Sequence, residues 1–138
     1  MNQRETIRKL IIQAKNAQSR AYVPYSGYAV GAALLADDGK VYTGCNIENA
    51  SYTPTVCAER VAIFKAVSEG AKQVEIIAVV AGKDMGYPCG VCRQVLREFG
   101  KNATIVVAKE VDDYHIHRLE DLLPHSFGPE NVKGETNA

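Results

Sequence analysis

The 138-residue sequence predicts one α/β domain, a three-layer α/β/α sandwich in which helices cover both faces of a mixed sheet of about five strands. A chain of this length forms one core and is too short for two. A turn at Asp38-Gly39 joins two apolar runs as a β-hairpin. Beyond the hairpin, helical periodicity alternates with β-branched runs, which predicts a sheet that is partly parallel.

The first half of the sequence predicts a helix followed by the hairpin. Apolar residues at helical spacing predict a helix over residues 3–21, and Pro24 prevents its continuation. The apolar run 28–36 is expected to pair with residues 41–45, because Gly39 supplies the positive φ of a tight turn. A polar loop follows.

The second half alternates between helices and strands. Two central helices are predicted at residues 57–69 and 89–99, each followed by a glycine of the kind that commonly ends a helix. β-branched apolar runs predict buried strands at 74–81 and 103–108, with a weaker strand at 114–116.

Three further features are expected from local sequence. The periodicity of the first central helix is marked by Val61, Phe64, Lys65 and Ser68. Residues 118–123 suit a short helix that Pro124 ends. The polar tail, residues 129–138, is expected to be flexible, so that residues 1–138 make a single domain with a flexible C-terminus.

The charge balance excludes several classes of partner. Sixteen basic and sixteen acidic side chains cancel, so no net field attracts a nucleic acid or an anionic membrane. No stretch approaches the roughly 20 apolar residues of a membrane span, and the polar N-terminus is unlike a signal peptide. Four cysteines without a secretion signal favour metal or redox chemistry over disulfides. We expect a cytoplasmic protein that acts on a small molecule of low charge.

The strongest functional signal is a set of three cysteines and one glutamate. Cys57 precedes Glu59 by two residues, and a later Pro-Cys-x-x-Cys motif contributes Cys89 and Cys92. These cysteines begin the two central helices, where the helix dipole and free N–H groups favour thiolates. Three protein ligands are typical of a catalytic zinc site, whose fourth position stays open for water. Glu59 is then free to transfer protons, so the motif predicts a hydrolytic centre with one Zn²⁺ per chain.

Charge counting adds Arg60 to the candidate site. Three thiolates give a zinc centre net negative charge, which makes its water less acidic than in a site of neutral ligands. A nearby cation offsets this effect, and Arg60 follows Glu59 directly. The alternative for Arg60 is an ordinary surface arginine.

Other interpretations of the cysteines and histidines stay open at this point. The Cys-x-x-Cys pair also suits a redox motif, and Cys45 offers a fourth ligand for a closed structural zinc site. As a further alternative, Cys45 is a buried, inert thiol. The histidines lie at no ligand spacing, and surface or capping roles are expected for all three: His115, His117 and His125.

With Cys57-Ala58-Glu59 and Pro88-Cys89-Gly90-Val91-Cys92-Arg93-Gln94 in view, the sequence resembles the zinc-dependent cytidine deaminases of the short homotetrameric type. The resemblance covers almost the whole chain and implies that family's α/β/α fold. Its other matching segments, in chain order, are residues 21–26, 30–34, 44–52, 64–70 and 122–127.

The resemblance implies roles for individual residues. It makes the three cysteines the zinc ligands and Glu59 the proton shuttle, and it matches Asn46 and Glu48 to a pair that binds a ribose hydroxyl. Phe127 matches an aromatic ring that stacks on the base from a neighbouring subunit. The remaining matches contact the pyrimidine or lie at the edge shared between subunits, and they are Tyr28, Ala58, Ala50 and Tyr52.

The function implied is hydrolytic deamination of cytidine and 2′-deoxycytidine in pyrimidine nucleoside salvage, by a homotetramer whose active sites are shared between subunits. Deaminases of nucleic acids or nucleotides commonly carry His-Ala-Glu where this chain has Cys-Ala-Glu. A blasticidin S-type deaminase shares the cysteine motifs, but Asn46-Ile47-Glu48-Asn49 favours a nucleoside. A non-enzymatic zinc module would need four ligands. Two departures from the family pattern, Pro54 and Tyr87, are expected to affect pocket access.

Overall fold

The computed structural model describes residues 2–134 and forms a five-stranded mixed sheet with helices on both faces. The strand order is β2-β1-β3-β4-β5, and only β3 and β4 are parallel. The elements, in chain order, are α1 (Gln3–Gln18), β1 (Val30–Ala36), β2 (Val41–Cys45), α2 (Ala58–Ser68), β3 (Val74–Ala81), α3 (Gly90–Phe99), β4 (Thr104–Glu110), β5 (Asp113–Arg118), α4 (Leu119–Leu122) and α5 (Pro129–Lys133).

Side chains alternate along the central strands and give the sheet two apolar faces. On one face, Ala33, Ala78 and Val106 pack against the buried side of α1. On the other face, Leu34 and Ile77 belong to a larger cluster that includes buried residues of α2 and α3. The three-layer α/β/α sandwich predicted from the sequence is therefore confirmed.

Two glycines allow helices to approach the sheet unusually closely. A Cβ atom on Gly31 would lie 1.9 Å from the carbonyl oxygen of Ala14 in α1. A Cβ atom on Gly44 would lie 2.4 Å from the carbonyl oxygen of Ala58, the first residue of α2. Only glycine fits where two backbones come this near, and the second contact seats the start of α2 on β2.

The boundaries differ from the predictions mainly at loops. Helix α1 ends at Gln18, short of the predicted limit at 21, and β1 begins at Val30, two residues later than predicted. The weak strand predicted at 114–116 is longer, because β5 pairs with β4 from Asp113 to Arg118. Backbone pairing of this kind is decided by the neighbouring strand, which local sequence does not reveal.

The buried side of α2 is formed by residues other than those that mark its periodicity in the sequence. The helix buries Ala58, Glu59, Ala62, Ile63 and Ala66. The residues used to recognise the helix lie partly or fully on its outer side, and Phe64 is 47% exposed. The prediction of a helix is confirmed. Its buried side consists mostly of small residues, because the backbone of α2 lies so close to the sheet.

The C-terminal region contains a short helix inside the segment predicted to be a flexible tail. Helix α5 covers Pro129–Lys133 and ends at Gly134, whose φ of 72° is the left-handed cap conformation. The remainder of the predicted tail, residues 135–138, lies outside the described residues. Within residues 2–134, no helix combines the length and apolar character that crossing a membrane requires.

Candidate metal centre

The three cysteines of the predicted ligand set lie at the first turns of α2 and α3. Cys57 is the N-cap of α2 and Cys89 the N-cap of α3, and both have extended backbone conformations. Neither side chain is used as a helix cap. Cys92 lies one turn into α3 and is fully buried. The N-termini of the two helices therefore meet at the three sulfur atoms, where the helix dipoles favour thiolates. Against this, the pKa of Cys92 is raised, chiefly by its hydrogen bond to Cys57.

The spacing of the sulfur atoms fits one tetrahedral metal ion. The Sγ atoms of Cys57 and Cys89 are 3.7 Å apart, and those of Cys89 and Cys92 are 3.6 Å apart. All three lie within 4.8 Å of one another. Tetrahedral zinc with Zn–S bonds of about 2.3 Å places its sulfur ligands about 3.8 Å from each other. Three soft donors at this spacing suit zinc, and they leave a fourth ligand position available.

Glu59 lies beside this cluster in a dry environment. It is the second residue of α2 and is only 4% exposed. Burial raises the pKa of Glu59 to about 7, and the nearby sulfur of Cys57 adds to the increase. A carboxyl group with a pKa near neutrality can both accept and donate a proton.

Arg60 contacts the cluster from its outer side. Its Nη2 atom donates a hydrogen bond to the Sγ of Cys57 at 3.3 Å, while its buried Nε has no partner among the described residues. The pKa of Cys57 is lowered to about 5, chiefly by a hydrogen bond from the Cys92 thiol, with Arg60 contributing. The charge-offsetting role of Arg60 stays a prediction, and this hydrogen bond to Cys57 is the geometry that such a role requires.

A cavity of about 180 Å³ leads to the cluster. Asn46 lies on the wall of this cavity, and its side-chain amide bonds to the backbone at the start of β1. The Oδ1 atom accepts from the N–H of Val30 at 2.8 Å, and Nδ2 donates to the carbonyl of Tyr28 at 2.8 Å. The residues lining the cavity are Tyr28, Val30, Asn46, Cys57, Glu59, Val79, Ala81, Gly86, Tyr87 and Cys89.

Glu48 lies in a different cavity from Asn46 in the single chain. Its carboxylate accepts hydrogen bonds from the backbone N–H groups of Tyr25 and Ser26, at 3.0 and 3.1 Å, and from the Ser26 hydroxyl. The Ser26 hydroxyl is the main reason that the pKa of Glu48 is lowered, so this group remains a carboxylate. The cavity it lines also contains Tyr52.

The other substrate-binding candidates divide into buried and exposed groups. Ala58 is buried at the start of α2 beside the candidate ligand Cys57. Ala50 and Tyr52 are exposed in the loop before α2, and Tyr52 adopts a left-handed φ of 64°. Phe127 is 61% exposed and lies outside the metal cavity, on a surface formed by α3 and α5. A single chain therefore does not bring Phe127 to the metal cluster.

The fourth cysteine is separate from the cluster. The three-ligand group among the described residues excludes Cys45, whose thiol donates to the carbonyl oxygen of Arg20 at 3.4 Å. Cys45 is partly exposed, so the expectation of a buried thiol is not met. None of the three histidines belongs to the metal-binding group either.

Sequence reasoning did not assign a role to Arg93, which supports the loop entering α3. Its Nε donates to the carbonyl of Pro88 at 2.7 Å, and its Nη1 donates to the carbonyl of Leu122 at 2.7 Å. It thereby ties the residue before Cys89 to the C-terminal part of the chain. The sequence indicates its importance only by its position directly after Cys92, because residues that hold candidate metal ligands in place often lie beside them.

Three sulfur donors and a buried carboxylate, in an open cavity of an α/β/α sandwich, define a hydrolytic zinc enzyme. Residues 4–109 match the family model described as the cytidine and deoxycytidylate deaminase zinc-binding region. The chain belongs to the zinc-dependent cytidine deaminase family.

Individual relatives and solved structures agree with this assignment. A cytidine deaminase from Sporosarcina psychrophila is 47% identical over 128 residues, covering 91% of this chain and 94% of the relative. One from Halalkalibacterium halodurans is 50% identical over 125 residues, covering 89% and 95%. The crystal structure of cytidine deaminase from Burkholderia pseudomallei is 43% identical, with a TM-score of 0.83, and covers 92% of this chain and all 100% of that one.

Proposed function

We propose that this enzyme hydrolyses the exocyclic amine of cytidine and 2′-deoxycytidine, releasing ammonia and leaving uridine and 2′-deoxyuridine. The observation that carries the proposal is the buried carboxyl of Glu59 in the same cavity as the sulfurs of Cys57 and Cys89. Membership of the deaminase family and relatives named cytidine deaminase support it. Zinc, held by the three cysteines, supplies the Lewis acidity that makes water nucleophilic near neutral pH.

Glu59 is the group proposed to move protons during the reaction. The oxygen of water forms a bond to C4 of the pyrimidine, and the carboxylate of Glu59 takes a proton from that water. Glu59 gives this proton to N3 of the ring. It then takes the remaining proton from the new hydroxyl on C4 and delivers it to the exocyclic nitrogen, so that the C4–N bond breaks, the C4 carbonyl forms and ammonia leaves. Its dry position keeps bulk water from competing for these transfers.

The neighbouring residues are proposed to hold the base and balance the charge of the site. The N–H of Ala58, at the beginning of α2, has no partner within the helix and can donate to the pyrimidine carbonyl. Arg60 donates to the Cys57 sulfur and thereby reduces the negative charge of the thiolates. Tyr28, half exposed on the cavity wall, offers an aromatic surface for the base.

Asn46 and Glu48 are proposed to hold the sugar, Glu48 by accepting a hydrogen bond from a ribose hydroxyl. In the single chain both side chains hold nearby backbone groups, which places them in defined orientations. An ultraviolet assay with cytidine, 2′-deoxycytidine, CMP and blasticidin S tests the function directly. Turnover of the two nucleosides is expected, and turnover of blasticidin S alone would contradict the proposal.

We expect CMP to be deaminated with a kcat/KM at least about 100-fold below that of cytidine, since juxtaposed like charges cost several kcal/mol. Glu48 is a carboxylate, and among the described residues that line its cavity none is cationic. A phosphate on the sugar would therefore lack a partner and be repelled. The same assay measures both substrates, and equal kcat/KM values would exclude this placement of the sugar.

Activity is proposed to require a homotetramer in which active sites are shared between subunits. The proposal is supported by Phe127, whose exposed ring lies outside the metal cavity of its own chain, and by the exposed Phe64 on α2. Exposed apolar side chains of this kind commonly mark interfaces between copies, and closed symmetry is the usual arrangement.

Replacing Phe127 with alanine is expected to raise KM for cytidine by about 5- to 150-fold, the equivalent of the 1–3 kcal/mol that base–aromatic stacking contributes. Val132→Ala is the matched control, because Val132 is another exposed apolar residue on the same surface. Steady-state kinetics measure both variants. An unchanged KM in the Phe127 variant would remove the stacking role.

Mixing two impaired variants separates shared sites from sites within one chain. Glu59→Gln and Phe127→Ala proteins, unfolded and refolded together, should form hybrids with some intact sites and more activity than either parent. Verified mixed tetramers without such recovery would show that each site is built by one chain.

The cellular setting is proposed to be cytoplasmic pyrimidine salvage. All four cysteines are free thiols, which suits a reducing compartment. Hydrolysis of a nucleoside to uridine and ammonia also fits the reuse of small pyrimidines.

A further inference from the structure

Tyr87 lies on the wall of the metal cavity and has no role in the proposed reaction. Its side chain lines the cavity that contains Glu59 and Cys89. It stands two residues before Cys89, so the two Cα atoms are at most about 7 Å apart. The side chain is 46% exposed, which places its ring at the cavity and not in the core.

His117 on β5 holds the ring of Tyr87 from outside the loop. The Nε2 atom of His117 lies 3.2 Å from the Tyr87 hydroxyl, and the two ring centroids are 5.2 Å apart with an edge-on angle of 61°. His117 itself is opposite Ile105 in the paired strands β4 and β5. The hydrogen bond and the aromatic contact with His117 fix the orientation of the Tyr87 ring, because His117 belongs to a strand that is itself held by pairing with β4.

The loop that carries Tyr87 is closely packed at the preceding residue, Gly86. A Cβ atom on Gly86 would lie 2.1 Å from the side chain of Ala81 and 3.1 Å from the hydroxyl of Tyr28. The backbone is thus packed against β3 and Tyr28. A ligand with a larger substituent at this wall would therefore contact the Tyr87 ring, behind which the backbone is already closely packed.

We propose that Tyr87 is a specificity-determining residue that limits the size of substituents next to the reacting carbon of the pyrimidine, and that His117 is its positioning residue. The inference rests on the proposed function, because the reacting carbon must lie at the three sulfurs and therefore near the Tyr87 wall. One added carbon in a hydrophobic pocket changes selectivity by about 10- to 200-fold.

The test compares cytidine with 5-methylcytidine and N4-methylcytidine. The first carries an added methyl group on C5, the ring carbon next to C4, and the second carries it on the exocyclic nitrogen bonded to C4. The unaltered enzyme is expected to prefer cytidine over at least one of them. Tyr87→Ala should reduce that preference at least about tenfold, mainly by lowering KM for the methylated substrate. Tyr87→Phe keeps the ring and should keep most of the preference.

Variants of β5 separate positioning from general support of the fold. His117→Ala should lower the preference in the same direction as Tyr87→Ala but by a smaller factor, because the ring remains and is only released. Ile116→Ala is the matched control, since this exposed residue lies on the same strand with its side chain on the opposite face of the sheet, and it should leave selectivity unchanged. Zinc content and circular dichroism identify variants that have lost metal or fold.

Unchanged selectivity toward both methylated substrates in a folded, zinc-containing Tyr87→Ala protein would overturn the role of Tyr87. Equal losses on all three substrates in His117→Ala would overturn its positioning role. Absence of cytidine turnover by the unaltered enzyme would instead overturn the proposed function, so the failures of the two proposals are distinguishable.

Discussion

Replacing Glu59 with glutamine is expected to lower kcat for cytidine by about 10²–10⁴, the usual contribution of general acid–base catalysis, while zinc and fold are retained. Glutamine has the shape of glutamate but cannot take or give a proton at this position. Because Glu59 is buried, its charged carboxylate loses hydration free energy on folding. The neutral amide of glutamine loses less, so the variant should fold.

The measurement is steady-state deamination of cytidine together with zinc analysis and circular dichroism of the same preparation. Glu75→Gln is the matched control, since it makes the same chemical change on an exposed residue of β3 and should leave kcat unchanged. Near-normal turnover by a zinc-containing Glu59→Gln enzyme would rule out Glu59 as the proton shuttle.

Replacing Cys89 with serine is expected to weaken zinc binding by at least about 100-fold, since loss of a group that merely supports a ligand already costs about 10- to 100-fold. The unaltered protein should contain one zinc per chain, because one cluster of three sulfurs is present among the described residues. Cys89 is the exposed member of that cluster, so its replacement should disturb the core less than replacement of the buried Cys92.

Cys45→Ser is the control for the metal experiment. The thiol of Cys45 donates to the carbonyl of Arg20, and a serine hydroxyl can make the same hydrogen bond. Zinc per chain is measured by elemental analysis after dialysis against a weak chelator. Full zinc in the Cys89 variant, or zinc loss in the Cys45 variant, would refute the assignment of the three ligands.

Short-range patterns in the sequence were enough to predict the main elements and the chemical groups of the site. Cys89 and Cys92 are three residues apart in the first turn of a helix, so their proximity follows from helix geometry alone. Residues 74–81 form a strand over the predicted range, because a β-branched run of that length has few other stable environments. The family resemblance then added roles that no spacing could supply.

The sequence by itself determined the elements, the metal donors and the spare carboxylate, because these depend on residue chemistry and neighbours within one turn. Tertiary structure alone decided which face of α2 is buried, since close approach to β2 selects small residues over Val61 and Phe64. It also decided that Tyr87 meets His117, thirty positions later in the chain. Contacts at such separation depend on how strands and helices pack, and that packing has no local signature in the sequence.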